Sequence, residues 1–241
     1  MNWTAVLEIF KKDIQETTRN RYVFLSVSVL PIIIIVENLF AVIQLIGQPS
    51  GVSELNQILP VTSLIVLLIP SVVTALLAST SVVIEKNNRS LEPLLASPIT
   101  DAELLLGKCL AAFVPAMVVS YGTLAVLIGA IDALTIGALG YALLPTPSMA
   151  YQVALIPLVG LLGTFISLLV STKIKDVRAA QQVSTFAVLP ILAFAAFISG
   201  IYAVDPLYQI MAIIILAVAV VFMARVTIRR FSRESILISW S

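Results

Sequence analysis

Several residue types that build common functional sites are missing from the sequence, or nearly so. The 241 residues include no histidine and a single cysteine, Cys109. A disulfide framework is therefore excluded, and zinc or haem sites are not expected because their usual ligands are histidine and cysteine. Cys109 lies at the start of an apolar run, where a cysteine acts as a small packing residue.

Charge is also scarce. Only 11% of the residues are charged, whereas a soluble domain has about 25%. Hydrophobic residues make up 60% of the chain, and the mean hydropathy is +1.08. These values predict an all-α integral membrane protein rather than a soluble domain. The net charge of +1 gives no indication of a nucleic-acid partner.

The motifs of soluble catalysis are absent as well. Leu106-Gly107-Lys108 is not a phosphate-binding loop, because the G-x-x-x-x-G-K-[ST] pattern needs an earlier glycine and a following Ser or Thr. There is no G-x-S-x-G motif and no metal-ligand cluster. We therefore predict no catalytic residue, no metal site and no cofactor bound directly by this chain.

Long apolar runs are abundant. A helix needs about 20 apolar residues to cross the hydrocarbon layer. Six segments qualify as predicted spans: 22–46, 58–84, 104–131, 151–172, 183–202 and 207–224. Residues 203–206 form either a tight turn or part of a re-entrant element; Asp205 followed by Pro206 favours a new helix start.

The basic residues alternate strictly between the loops. All 14 Lys and Arg residues lie in four segments: 1–21, 85–108, 173–178 and 225–233. The intervening loops, residues 47–57, 133–150 and 203–206, contain none. By the positive-inside rule, this pattern predicts a multi-pass protein of the cell membrane with both termini in the cytoplasm. The basic residues near the C-terminus are expected to lie close to anionic lipid.

The first 21 residues predict an amphipathic helix. Trp3, Leu7, Phe10 and Ile14 recur at helical spacing and form one apolar face. Such a helix lies in the membrane interface before the chain enters the first span. Two readings stay open: a membrane anchor, or a helix that also contacts a partner.

A second short helix is predicted between spans 2 and 3, at residues 89–97. Ser90 can cap it, Leu91, Leu94 and Leu95 form one apolar face, and Pro98 ends it. Two helical turns are not stable alone in water, so this helix must dock on a partner or on the bilayer surface. Residues 100–103, Thr-Asp-Ala-Glu, form a capping box that begins the third span.

This region resembles a known family. Glu85-Lys86, then S-L-E-P-L-L-A-S-P-I-T at 90–100 and E-L-L-L-G-K at 103–108, are similar to the signature of ABC-2 type transporter permeases. The resemblance implies a half-transporter that pairs with a second copy of itself or a similar permease. It also implies two copies of a separate cytoplasmic ATPase, which would bind ATP and Mg and drive export. Residues 89–97 would then be the coupling helix.

Physical roles follow for the side chains around this helix. The leucines would supply buried apolar contact with the ATPase, and the charged residues would fix the register at the rim. The predicted ATPase-coupling residues are Glu85, Arg89, Leu91, Glu92, Leu94 and Leu95. The predicted function is a permease subunit that moves a hydrophobic or amphipathic substrate, and the chain itself is not expected to be an enzyme.

One acid lies inside a predicted span. Glu37, next to Asn38, is in the outer half of the first span, where an acid costs about 2.5–3.5 kcal/mol on insertion scales. Glu37 should therefore face a bundle interior, a water-filled path or a partner helix, or be protonated. The pair is a candidate pathway site, and the alternative function is a secondary transporter or channel that uses Glu37.

Two further patterns concern helix packing. Five spans are predicted to carry an interior proline, which can kink a helix: Pro31, Pro70, Pro115, Pro157 and Pro190. Gly163, Ser167 and Ser171 recur every four residues and predict close packing between helices.

Overall fold

The computed structural model describes residues 2–46, 65–87, 100–139, 147–174, 176–201 and 206–230. Within these ranges the chain forms seven helices and no strand. In chain order they are α1 Trp3–Arg19, α2 Arg21–Leu45, α3 Leu68–Asn87, α4 Asp101–Leu139, α5 Pro147–Ser171, α6 Val177–Ile201 and α7 Pro206–Arg230.

Five of the described helices are long and apolar enough to cross a membrane, namely α2, α3, α4, α5 and α7. This supports the prediction of an all-helical, multi-pass membrane protein. The fifth predicted span, 183–202, falls largely within α6. Because α6 is not among these five helices, the count of six spans stays a prediction.

Several helix boundaries differ from the predicted spans. Helix α4 has 39 residues and continues to Leu139, eight residues beyond the predicted end of the third span. Helix α7 continues to Arg230, past the apolar residues of the sixth predicted span and into the basic residues that follow them. It begins at Pro206, as the Asp205-Pro206 pair indicates. Residues 58–64 of the second predicted span lie outside the described residues.

Helix α3 forms the centre of the bundle. In its membrane-spanning stretch 72% of residues are buried, and it packs against α5, α4 and α6. Helices α2 and α7 lie at the periphery, each with 22% of its apolar stretch buried. Most of the surface of α2 and α7 is therefore available to lipid or to another chain.

Four of the five prolines lie inside their helices as predicted, namely Pro31, Pro115, Pro157 and Pro190. Helix α3 begins at Leu68, which places Pro70 in the first turn. Residues 65–66 just before α3 are also helical, and residues 58–64 lie outside the described residues, so the interior position predicted for Pro70 in the second span stays a prediction.

The small-residue face of α5 packs closely on α3. A Cβ atom added to Gly163 would lie 2.5 Å from Thr74 Oγ1 and 3.4 Å from Ser71 Cα. Farther along α5, Ser167 and Ser171 are fully buried. The predicted close packing is thus confirmed at Gly163, where only hydrogen fits between the helices.

We expect Gly163→Ala to lower the free energy of unfolding by about 1–3 kcal/mol, because the new methyl group overlaps Thr74. Gly129→Ala is the matched control, since nothing lies within 4 Å of its added Cβ. The melting temperatures of both variants are measured on the detergent-solubilised chain, with unfolding monitored by dye labelling of the buried Cys109. Equal melting temperatures for the two variants would contradict the close packing at Gly163.

Candidate coupling site at the α1 end of the bundle

Helix α1 docks on the bundle through one face. Val6, Ile9 and Asp13 are buried, and α1 packs mainly against α4. Trp3 and Leu7, on the apolar face predicted from the sequence, are 59% and 57% exposed. Phe10 and Ile14 of the same face are half-buried, so the predicted face lies beside the buried one, and its Trp3 and Leu7 remain available to the membrane interface.

The contact between α1 and α4 is unusually close at Gly107. A Cβ atom added there would lie 2.8 Å from Ile9 Cγ2, 2.9 Å from Ile9 Cβ and 3.3 Å from the carbonyl oxygen of Val6. Two helices can approach this closely only where one of them has no side chain. Gly107 thus sets the distance at which α1 lies across α4.

A buried ionic cluster joins three helices beside this contact. We call it the Lys108 cluster; its members are Lys108 of α4, Asp13 and Lys12 of α1, and Ser81 and Glu85 of α3. Lys108 Nζ lies 2.5 Å from Glu85 Oε2, 2.9 Å from Ser81 Oγ and 3.4 Å from Asp13 Oδ2. Ser81 donates to Asp13 at 2.6 Å, and Lys12 Nζ donates to Glu85 Oε1 at 2.7 Å.

The charges in the Lys108 cluster balance. Lys108 is 1% exposed and lies seven residues after the start of α4, about 10 Å along the helix axis. An ammonium group has three N–H donors, and three oxygen atoms surround this one. Burial of a charge is costly unless it is paired and hydrogen-bonded, and the cluster meets both conditions.

Lys12 lies at the edge of the cluster. Burial lowers the pKa of its ammonium group, but the hydrogen bond and the negative charge of Glu85 outweigh that effect, so the pKa lies above its ordinary value. Lys12 therefore stays protonated at neutral pH and supplies the second positive charge beside Glu85.

The start of α4 is fixed by the predicted capping box. The Thr100 backbone N–H donates to Glu103 Oε2 at 2.9 Å, and the Glu103 N–H donates to Thr100 Oγ1 at 3.3 Å. The Asn2 backbone N–H donates to the second carboxylate oxygen of Glu103. One side chain thereby joins the first residues of α1 to the first turn of α4.

The predicted ATPase-coupling residues fall into two groups. Five of them belong to the predicted coupling helix at residues 89–97, which lies outside the described residues. They are Arg89, Leu91, Glu92, Leu94 and Leu95. Glu85 is described, and it is 2% exposed. It was predicted as a charged rim contact with a partner; the structure instead turns its carboxylate inward, because Lys108 and Lys12 attract it.

Sequence reasoning missed Asp13, Ser81 and Lys108 as a site. Lys108 was used as a basic residue near a span end and as the last residue of a family motif, but no partner was predicted for it. The available signal was its position, because an ionisable side chain two turns into an apolar helix needs a partner. Which partner it finds depends on how α1 docks, and that contact joins residues 95 positions apart.

The structure separates the two candidate pathway residues. Asn38 is buried and donates from Nδ2 to the carbonyl oxygen of Ile34 at 2.7 Å. Glu37 is exposed on α2, so within the single chain it does not face the interior of the bundle; a water-filled path, a partner helix and protonation stay predictions. It lies one position, or about 100° of helix rotation, from Asn38.

The site joins helix ends rather than titratable groups that could hold a metal ion. In the part of the chain that the structure describes, no group of three His, Cys, Asp or Glu side chains could hold a metal ion. The Lys108 cluster fully pairs its charges and ties α1 to the neighbouring ends of α3 and α4. Those two ends flank residues 88–99, so a displacement of this segment would act on three joined helices.

Comparison with known proteins identifies the class. A family model described as ABC-2 family transporter protein matches residues 5–240, which is nearly the whole chain. The chain therefore belongs to the ABC-2 transporter family, and it is a membrane-spanning transport component. A search of curated proteins finds no significant match.

Proposed function

We propose that the chain is the permease subunit of an ATP-driven exporter in the cell membrane. A separate cytoplasmic ATPase hydrolyses ATP, and this chain couples the hydrolysis to movement of a hydrophobic or amphipathic substrate. The observation that carries the proposal is the Lys108 cluster, which joins α1 to both helices that flank residues 88–99. The family match supports the same class of protein.

The cluster suits the transmission of force. A docked coupling helix in residues 89–97 moves when the ATPase dimer closes, and the motion enters the membrane through the ends of α3 and α4. Because Lys108 pairs with Glu85 of α3 and Asp13 of α1, the three helix ends move together. The buried pairing resists separation, since breaking it would leave a charge in a low-dielectric site.

The distribution of basic residues supports the orientation. The Lys108 cluster and the basic residues of α1 are then at the cytoplasmic side, together with both termini. Two copies of the ATPase are expected to dock there on a dimer of permeases, either this chain with itself or with a similar one. ATP and Mg are bound by the ATPase.

A secondary transporter or channel is the second candidate. It is favoured by Glu37, which has no hydrogen bond or ion pair within the described chain and could bind a proton or a cation. This candidate predicts transport by proteoliposomes that contain the chain alone and an ion gradient. The permease predicts transport only when the ATPase and ATP are present.

The coupling helix is tested by Leu94→Asp combined with Leu95→Asp. We expect the double variant to lose co-purification with the ATPase, because two carboxylates replace the apolar face that docks. Measurement uses affinity purification of the full-length permease from membranes, with the bound ATPase quantified by immunoblot.

The matched control is Asn87→Asp combined with Asn88→Asp, which adds the same charge nearby and removes no leucine. It should retain the ATPase. If the leucine variant still bound the ATPase and still coupled hydrolysis to transport, the coupling-helix proposal would fail.

A further inference from the structure

Two grooves on the surface of the bundle share one arrangement of side chains. The first has a volume of about 360 Å³ and lies where α1 meets α2; it is lined by Thr18, Arg21, Phe24 and Leu25. The second has a volume of about 450 Å³ and lies on α7; it is lined by Ile214, Ala217, Val218, Val221, Phe222 and Arg225. Each groove thus combines one arginine with an apolar wall that contains a phenylalanine.

The spacing of these residues is the same in both grooves. On α2, Phe24 lies three positions and Leu25 four positions after Arg21. On α7, Phe222 lies three positions and Val221 four positions before Arg225. Residues three and four apart lie on one face of a helix, and all four apolar side chains are more than half exposed. Each arginine therefore continues an exposed apolar face.

Both arginines lie at the edge of an apolar stretch. Arg21 is the first residue of α2, and Arg225 directly follows the sixth predicted span, 207–224. With these helices across the membrane, the guanidinium groups are at the headgroup layer, and the phenylalanines lie about 4–5 Å deeper along the helix axis. Within the described chain neither arginine has a hydrogen bond or an ion pair, so their N–H donors are available to a ligand.

The first groove is preformed, because a single residue joins its two helices. Asn20 ends α1 with a backbone N–H that donates to the carbonyl oxygen of Glu16 at 3.2 Å. Its side-chain Oδ1 begins α2 by accepting from the backbone N–H groups of Tyr22 and Val23 at 3.1 and 3.5 Å. These bonds fix the turn between the helices, and with it the shape of the groove.

The charge around both grooves is positive. Helix α7 contains Arg225, Arg229 and Arg230 and no acidic residue. Beside the first groove, Arg19 adds a second guanidinium group, and the acid nearest to it in the sequence, Glu16, forms an ion pair with Lys12 at 3.9 Å. A guanidinium group matches the geometry of a phosphate, and unbalanced positive charge favours a ligand with net negative charge.

We infer that each groove binds one anionic phospholipid. The phosphate accepts hydrogen bonds from the guanidinium group of Arg21 or Arg225, and an acyl chain lies along the exposed phenylalanine and its aliphatic neighbour. In the proposed orientation both lipids belong to the cytoplasmic leaflet, which carries the anionic lipids. The inference needs only that α2 and α7 cross the membrane, so it does not depend on the ATPase.

Arg178 distinguishes a binding site from general attraction to the membrane surface. It is exposed at the start of α6, but the residues three and four positions on are Gln181 and Gln182, which provide no apolar wall. General attraction would treat the three arginines alike. A lipid site in each groove requires Arg21 and Arg225 but not Arg178.

Native mass spectrometry of the detergent-purified, full-length chain tests the two sites. Dioleoyl phosphatidylglycerol is titrated into the micelles, and the lipids that stay bound are counted. We expect two tightly bound lipids on the wild type, one on Arg21→Gln, one on Arg225→Gln and none on the double variant. Binding at each altered site should weaken by about tenfold or more, because hydrogen bonds to a charged group are lost. Arg178→Gln is the matched control and should bind two.

Phe24→Ser and Phe222→Ser test the apolar wall and keep both arginines. Each should lose one lipid, and because both side chains are exposed, the lipid-free variants should melt at the wild-type temperature. If the serine variants kept both lipids and inorganic phosphate displaced them, the grooves would bind anions rather than lipid. Equal retention of dioleoyl phosphatidylcholine would overturn the preference for a negative headgroup.

The remaining outcomes separate the inference from the proposed function. A loss of lipid from Arg178→Gln as large as that from Arg21→Gln would indicate general attraction and overturn the inference. A chain that binds its ATPase but retains no phosphatidylglycerol would overturn the inference alone. A chain that retains both lipids but binds no ATPase would overturn the proposed function alone.

Discussion

Lys108→Met is expected to unfold the chain at a markedly lower temperature than the wild type. The substitution removes the one charge that Asp13 and Glu85 share, and leaves both carboxylates buried. Breaking a buried pair by removing one partner typically costs about 3–5 kcal/mol. For a chain of this size we expect the melting temperature to fall by about 10 °C. Circular dichroism of the detergent-solubilised protein measures it.

The matched control is Lys11→Met. Lys11 is on the same end of the bundle but is exposed, so its loss should change stability by less than about 0.5 kcal/mol. If Lys108→Met lowered the melting temperature no more than Lys11→Met does, the Lys108 cluster would not hold the three helices together.

A second variant separates charge pairing from packing. Glu85→Gln combined with Lys108→Met removes one charge of each sign, and the double variant should be more stable than the sum of the single effects predicts. Residues in direct contact typically show a coupling of about 0.5–3 kcal/mol in such a cycle. Additive effects would instead indicate that Lys108 stabilises the chain through its methylene groups alone.

Local features were predicted well from the sequence. The capping box of Thr100 and Glu103 forms as expected, because its hydrogen bonds join residues three positions apart. The start of α7 at Pro206 is likewise encoded in neighbouring residues. The membrane class follows from composition, which does not depend on how the helices are arranged.

The docked face of α1 could not be predicted in the same way. Its strongest apolar periodicity marks the row from Trp3, but the buried row is Val6, Ile9 and Asp13. In a membrane protein, apolar residues face lipid as well as protein, so periodicity does not tell the two faces apart. The partners of Asp13 depend on contacts between distant parts of the chain.

The same ambiguity explains Glu37. The sequence places an acid inside an apolar span and predicts either a polar environment for it or its protonation. It could not show that Glu37 lies on the exposed side of α2. That observation needed the arrangement of α2 at the edge of the bundle.

Gly107→Ala is expected to displace α1. The added methyl group would lie 2.8 Å from Ile9 Cγ2 and 2.9 Å from Ile9 Cβ, and a Cβ cannot swing away without movement of the backbone. Overpacking of this kind costs about 1–3 kcal/mol. We expect a lower melting temperature and, under the proposed function, continued ATPase binding with weaker stimulation of hydrolysis by substrate.

Gly122→Ala on the same helix is the matched control for Gly107→Ala, because its added Cβ meets nothing within 4 Å. Alanine favours a helix over glycine by up to about 1 kcal/mol, so the control should be neutral or more stable than the wild type. Both variants replace a glycine of α4 with alanine. We therefore expect Gly107→Ala to lower the melting temperature and Gly122→Ala to raise it or leave it unchanged. If Gly107→Ala behaved as Gly122→Ala does, α1 would not lie across α4 at this distance, and the Lys108 cluster could not form as described.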